Sequence, residues 1–145
     1  MKKTIIIILG ICIGSRIIAQ SPCDVRLADQ VQAKLGSNEL FLKDFAVSSA
    51  HDDKAHAKFS LWLNNQKCFG FIIGNSIISK EDITFTLSNS KGTIEEIKVA
   101  PGQFERIDFN CKTQDIYHLT FTSDNPGEVC ANAIMSFVKS DTPDQ

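Results

Sequence analysis

The chain has 145 residues, 15 of them basic and 17 acidic, for a formal net charge of −2. That balance excludes the clustered Lys and Arg surplus by which proteins hold nucleic acid, and it offers no basic patch to an anionic membrane surface. The length suits one domain with a real core.

In chain order the first feature is an export signal. Lys2 and Lys3 precede an apolar run from Ile5 to Ile13, a polar break at Gly14-Ser15-Arg16, and Ile17-Ile18-Ala19. This is the order of a secretory signal peptide, residues 1–19, cleaved near Ala19. The run falls short of the roughly 20 apolar residues that span a bilayer. Lipidation is not expected, because Cys12 follows Ile11 and Cys23 follows Pro22. Removing the signal takes away three basic residues and leaves 126, with 12 basic against 17 acidic and a net charge of −5. The expected location is secreted or periplasmic, with no membrane span after cleavage.

Four cysteines then remain: Cys23, Cys68, Cys111 and Cys130. An even number at wide spacing in an oxidising compartment reads as two disulfides, with three possible pairings. Cys23–Cys68 with Cys111–Cys130 is the preferred one. Zinc is not expected, because no close C-x-x-C pair occurs.

A helix opens the mature chain within residues 20–38. Ser21 suits the N-cap, Pro22 the first helical position, and Asp24 a capping box. Leu27, Val31 and Leu35 recur at helical spacing, and Gly36 is a good stop. From residue 40 the period becomes 2. Phe41, Phe45 and Val47 share one phase, and Ala57, Phe59, Leu61 and Leu63 alternate with Lys58, Ser60, Trp62 and Asn64. Further runs are Cys68 to Ile73, Ile83 to Leu87, Ile94 to Val99, Phe104 to Phe109, Ile116 to Thr122 and Val129 to Val138. Turn residues separate them at Asn64-Asn65, Ser90-Lys91-Gly92, Pro101-Gly102 and Asp124-Asn125-Pro126-Gly127. The expected fold is mainly β, a jelly-roll-like antiparallel β-sandwich of about eight strands over residues 39–139, preceded by one amphipathic helix. Residues 140–145 read as a loose polar tail.

Lys58 to Leu63, a polar turn and Lys67-Cys68-Phe69-Gly70-Phe71 resemble the opening hairpin of bacterial pre-peptidase C-terminal-like domains. Ile83-Thr84-Phe85-Thr86-Leu87-Ser88 is similar to their middle strand. Thr113-Gln114-Asp115-Ile116-Tyr117-His118-Leu119 is similar to the segment introducing their penultimate strand, with Gln114-Asp115 in place of the usual Gly. The resemblance spans residues 55–138 and implies a secreted jelly-roll accessory module. This chain departs from it in its N-terminal helix and in having no enzyme attached.

Three groups of residues are candidates for chemistry. Trp62 lies in the polar phase of its strand with Lys58, Ser60 and Asn64. An exposed indole there would stack on a sugar or a partner protein. The amphipathic helix needs a surface, however, and the expectation is that it covers this face. His51, Asp52, Asp53 and His56 have the donor types for a divalent cation, yet Lys54 would repel one, and a hydrophilic loop is the expected reading. Asp115, Asp124, Asn125 and Glu128 flank the last strands and would suit calcium if brought together, or serve as turn residues.

Hydrolytic motifs are absent. There is no G-x-S-x-G elbow or H-E-x-x-H helix. His118 falls among threonines on a non-core phase, and Asp52-Asp53, Glu81-Asp82 and Glu95-Glu96 would point to opposite faces of a strand. The sequence therefore reads as a non-catalytic binding or accessory module without a cofactor, recognising a glycan or a protein at the cell envelope. The alternatives are a structural or assembly protein of the envelope, and a hydrolase whose site is dispersed over loops.

Overall fold

A computed structural model describes residues 25–49, 55–124 and 128–139. The signal segment 1–19, Cys23, the capping residues Ser21, Pro22 and Asp24, the cluster from His51 to Lys54, Asn125 and residues 140–145 lie outside the described residues.

One short helix, α1 (Val25–Gln32), precedes eight strands: β1 (Glu39–Ser49), β2 (Ala55–Leu63), β3 (Lys67–Asn75), β4 (Ile83–Asn89), β5 (Gly92–Val99), β6 (Phe104–Cys111), β7 (Asp115–Thr122) and β8 (Val129–Val138). They form two four-stranded antiparallel sheets, ordered β1-β8-β3-β6 and β2-β7-β4-β5. Successive strands mostly change sheet, so closing either sheet takes pairings distant in sequence, as in a jelly roll.

Period-2 alternation builds the space between the sheets. Phe71 and Phe45 from the first sheet meet Phe85, Phe121 and Phe59 from the second, with ring centroids 6.0 Å apart for Phe71–Phe85, 5.3 Å for Phe85–Phe121 and 5.1 Å for Phe45–Phe59. Tilted and edge-on contacts of this kind add to the burial of each ring. Ile73, Ile83, Leu87 and Leu119 fill the remainder and are fully buried.

Two strands do not alternate. β3 and β8 are buried almost continuously, which requires cover on both faces. The second cover is α1. Leu27 and Val31 bury themselves against Ile72, Cys130 and Ile134 on the outer face of the first sheet. Gly74 admits the helix: a Cβ there would stand 2.7 Å from Val31 Cγ2 and 2.9 Å from Phe104 Cε1. The helix is shorter than its sequence pattern. Lys34 N–H donates to Val31 O and Leu35 N–H to Gln32 O, so the chain leaves α1 in tight turns before Gly36.

The sequence placed Phe41 in phase with Phe45 and Val47. A register shift between Phe41 and Lys43 breaks that phase. Phe45 and Val47 are buried, whereas Leu40, Phe41 and Leu42 remain exposed at the free edge.

The disulfide expectation needs correction. Cys68 and Cys111 carry free thiols, so neither Cys23–Cys68 nor Cys111–Cys130 forms. Sheet order gives the reason. β3 lies between β8 and β6, and the register sets Cys111 opposite Lys67 at one end of β3 and Cys130 past Asn75 at the other, roughly 30 Å apart and far beyond the reach of a disulfide. Cys68 and Cys111 lie on neighbouring strands, but Cys111 faces the inter-sheet core while Cys68 takes the alternate phase. Cys130 is disulfide-bonded, and its partner lies outside the described residues. Among the described residues no helix is long and apolar enough to cross a membrane.

Candidate functional site

Because α1 covers the first sheet, the outer face of the second is open. β2, β7, β4 and β5 each turn one phase inward and the other to solvent. Registers Trp62↔Ile116, Ser60↔His118 and Lys58↔Thr120 join β2 to β7. Ser88↔His118, Thr86↔Thr120 and Thr84↔Thr122 join β7 to β4, and Thr86↔Glu96 and Thr84↔Lys98 join β4 to β5. The result is a grid of hydroxyls with longer side chains along both edges.

Trp62 is 61% exposed and faces Ile116, itself 46% exposed. The expectation that α1 would cover Trp62 is therefore overturned. The helix went where apolar side chains needed it, over Ile72 and Ile134, and not over a face of Thr and Ser. Ser60 and Lys58 share the Trp62 face and are exposed. Asn64 is exposed too, but lies just past the end of β2, in the turn toward β3. One residue that sequence reading set aside joins the group: His118 Nδ1 lies 2.9 Å from Ser60 Oγ. The cross-strand bond ties the ring to the row next to the one that holds Trp62 and Ile116. Only strand pairing reveals it, because the two residues are 58 apart in sequence.

Charge on this face is balanced. Lys98 pairs with Asp124, which raises the Lys98 pKa through their hydrogen bond. Glu96 accepts a hydrogen bond from Thr86 Oγ1 at 3.4 Å. Lys58 on β2 and Glu96 on β5 stand at opposite ends of one register row, Lys58–Thr120–Thr86–Glu96.

The proposed metal ligands do not assemble. His51, Asp52 and Asp53 lie outside the described residues, as does the side chain of His56. Asp115 and Asp124 flank opposite ends of β7, roughly 23 Å of extended strand apart. Asp115 accepts from Ser90 Oγ at 3.0 Å, and Glu128 pairs with Lys80 at 3.6 Å. Among the described residues no group of three or more His, Cys, Asp and Glu is placed to hold a metal ion.

The Cys111 thiol lies in a buried cluster on the inner side of the sheet, with Tyr117 between Ile116 and His118 on β7. Cys111 Sγ lies 3.3 Å from Thr113 O and 3.6 Å from Tyr117 Oη, so its one S–H is shared between them, while Tyr117 Oη donates to Thr113 O at 2.6 Å. Burial and the Cys111 contact push the Tyr117 hydroxyl up to about 12. Cys68 is half-exposed. An alkylating reagent is expected to modify Cys68 in the folded protein and Cys111 only after unfolding, read from the masses of the two peptides. Equal labelling of both under native conditions would contradict the burial assigned to Cys111.

No protein-family profile matches the sequence, and no curated protein is detectably similar to it. The resemblance to pre-peptidase C-terminal-like domains therefore does not become membership. Among solved structures, the chain is similar to the Clostridium thermocellum N-terminal endo-1,4-beta-D-xylanase 10B, CBM22-1-GH10 modules complexed with xylohexaose. That match has 11% identity and a TM-score of 0.44, over 74% of this chain and 27% of the other. It is also similar to the Tobacco streak virus coat protein, at 14% identity and a TM-score of 0.34, over 77% of this chain and 93% of the other. The chain thus spans about a quarter of the length of the xylanase structure, and likenesses at these scores assign no activity.

Proposed function

We propose that this protein is an exported, non-catalytic recognition module that binds a glycan at the cell envelope or outside it, on the outer face of sheet β2-β7-β4-β5. The observation that carries the reading is the 61% exposure of Trp62 on a strand face that α1 leaves open. A flat, exposed indole beside hydroxyls and an imidazole suits a pyranose ring, whose C–H face packs on the aromatic while its rim forms hydrogen bonds. An exposed tryptophan that only filled a core would have no reason to face solvent.

The Ser60–His118 pair invites a hydrolytic reading. Acyl transfer needs a base oriented by a third group, together with preorganised oxyanion donors. Here the imidazole meets serine through Nδ1, and the surrounding backbone is engaged in strand pairing. Leu40, Phe41 and Leu42 on the free edge of β1 favour a second reading, docking of a partner protein. Lys43, Asp44 and the bulge interrupt that edge, which opposes simple strand addition.

The test is retention on immobilised polysaccharides. Trp62→Ala is expected to weaken retention at least tenfold while leaving the melting temperature unchanged, because the side chain is exposed. Undiminished binding by this variant would overturn the reading.

A further inference from the structure

The outer face of the second sheet has a direction, and that direction bears on which glycan fits. Its two central strands contribute only short side chains along most of their length. On β4 these are Thr84, Thr86 and Ser88, and on β7 Thr120 and Thr122; all five are half-buried. The two edge strands contribute longer, exposed ones: Trp62 and Lys58 on β2, Glu96 and Lys98 on β5. A floor of hydroxyls thus runs parallel to the strands between two rails. Registers Thr84↔Thr122 and Thr86↔Thr120 place four of the threonines at the corners of a quadrilateral, about 4.8 Å across the strands and about 6.6 Å along them.

We infer that this floor is the track for a linear, uncharged polysaccharide lying along β7 and β4, with Trp62 and Ile116 at one end of the track. The inference rests on the recognition reading above and adds the ligand class and its path. Two observations carry it. From Ile116 past His118 to Thr122 the face is roughly 20 Å long, with the hydroxyls of Thr84 to Ser88 covering about 13 Å of it, a total length of about four pyranose rings in an extended chain. The rails offer an acidic sugar no surplus of positive charge, since Lys98 pairs with Asp124, Lys58 is offset by Glu96 at the far end of its row, and Glu95 is exposed on β5 as well. Hydroxyl floors suit hydroxyl-rich neutral chains, because a threonine hydroxyl both donates and accepts, Thr86 being left to accept while it donates to Glu96.

The experiment uses the mature protein in affinity electrophoresis. The neutral gels hold cellulose derivative, xylan, mannan, chitin derivative or β-1,3-glucan, and the acidic gels hold polygalacturonate, alginate or hyaluronan. Calorimetry follows, with oligosaccharides of two to six units from the retained polymer. A neutral polymer is expected to retard the protein, affinity to rise with chain length to about four units and then level, and Thr86→Val/Thr120→Val to lower affinity at least tenfold. Valine keeps the shape and strand preference of threonine, so circular dichroism is expected to show an unchanged fold. Glu105→Ala, on β6 of the other sheet, is expected to bind as the parent does.

If Trp62→Ala abolishes binding but the threonine variant does not, and affinity levels at two units, the track is wrong while the recognition reading stands. Retention by acidic polymers alone overturns the ligand class. Retention by none of the polymers overturns the track and the recognition reading together.

Discussion

Replacing Phe85 with alanine is expected to cost about 3–5 kcal/mol of stability, read as a fall in the denaturation midpoint. Phe85 is fully buried on a central strand, with Phe71 at 6.0 Å and Phe121 at 5.3 Å. Truncation removes the transfer free energy of the ring and leaves a cavity between two sheets that cannot both collapse into it. The ring also lies between Thr84 and Thr86 in sequence, so the floor above the cavity is expected to lose order as well as support. A loss below about 1 kcal/mol would mean that the aromatic arc is not the core of the sandwich.

The second large effect centres on Glu39. Its carboxylate is 1% exposed and receives Arg106 through two bonds, Nη1 to Oε2 at 2.8 Å and Nη2 to Oε1 at 2.9 Å. Ser136 Oγ donates to Oε1 at 2.6 Å and Gly36 N–H to Oε2 at 2.5 Å. One side chain thus links β1, β6, β8 and the turn after α1. Gly70 makes room, since a Cβ there would stand 2.7 Å from Glu39 Oε1. Hydrogen bonding from Arg106, above all, holds the Glu39 carboxyl at about 2, against an ordinary 4.5. Glu39→Gln is expected to cost about 2 kcal/mol at neutral pH, less than a fully buried pair would, because Arg106 is partly solvated and keeps Asp108.

The pH dependence has a definite sign. A depressed carboxyl stabilises the fold above its unfolded value, and the contribution fades as pH falls through the folded one. The gap in stability between parent and Glu39→Gln is therefore expected to stay constant above about pH 5 and to close between pH 4.5 and about 2. Thermal melts across that range measure it. A gap that persists at pH 2 would show that packing, and not charge, dominates at Glu39.

Much of the architecture was legible because alternation is a strong signal. Ala57 to Leu63, Ile83 to Ser88 and Tyr117 to Thr122 each show one apolar and one polar phase, and each became a strand with one face in the core. The position of the helix was misjudged, set over Trp62, although strands whose alternation fails carried the signal for it. Phe69 to Ile73 and Val129 to Met135 are apolar without a break, apart from Gly70, Asn132 and the cysteine. A strand apolar on both phases needs a cover on each side, and α1 is the amphipathic element available to supply one. Read that way, Trp62 was never the helix's partner.

Other features were beyond local reading. The bulge at Leu42 leaves no mark in the sequence, and it reversed the burial expected of Phe41. Disulfide pairing depends on sheet order, which places β3 between Cys111 and Cys130. His118 looked like a solitary solvated histidine until the β2–β7 register set it on Ser60. In each case the missing information is which strands are neighbours, a property of the whole chain.

The most direct test of the account follows the backbone amides and the Trp62 indole by NMR while the mature protein is titrated with an oligosaccharide from the retained polymer. Shifts are expected at the Trp62 indole and at His118, Thr86 and Thr120, with α1, Ile72 and Ile134 unmoved. Shifts confined to the helix side of the molecule or to Leu40–Leu42, with the indole silent, would contradict the account.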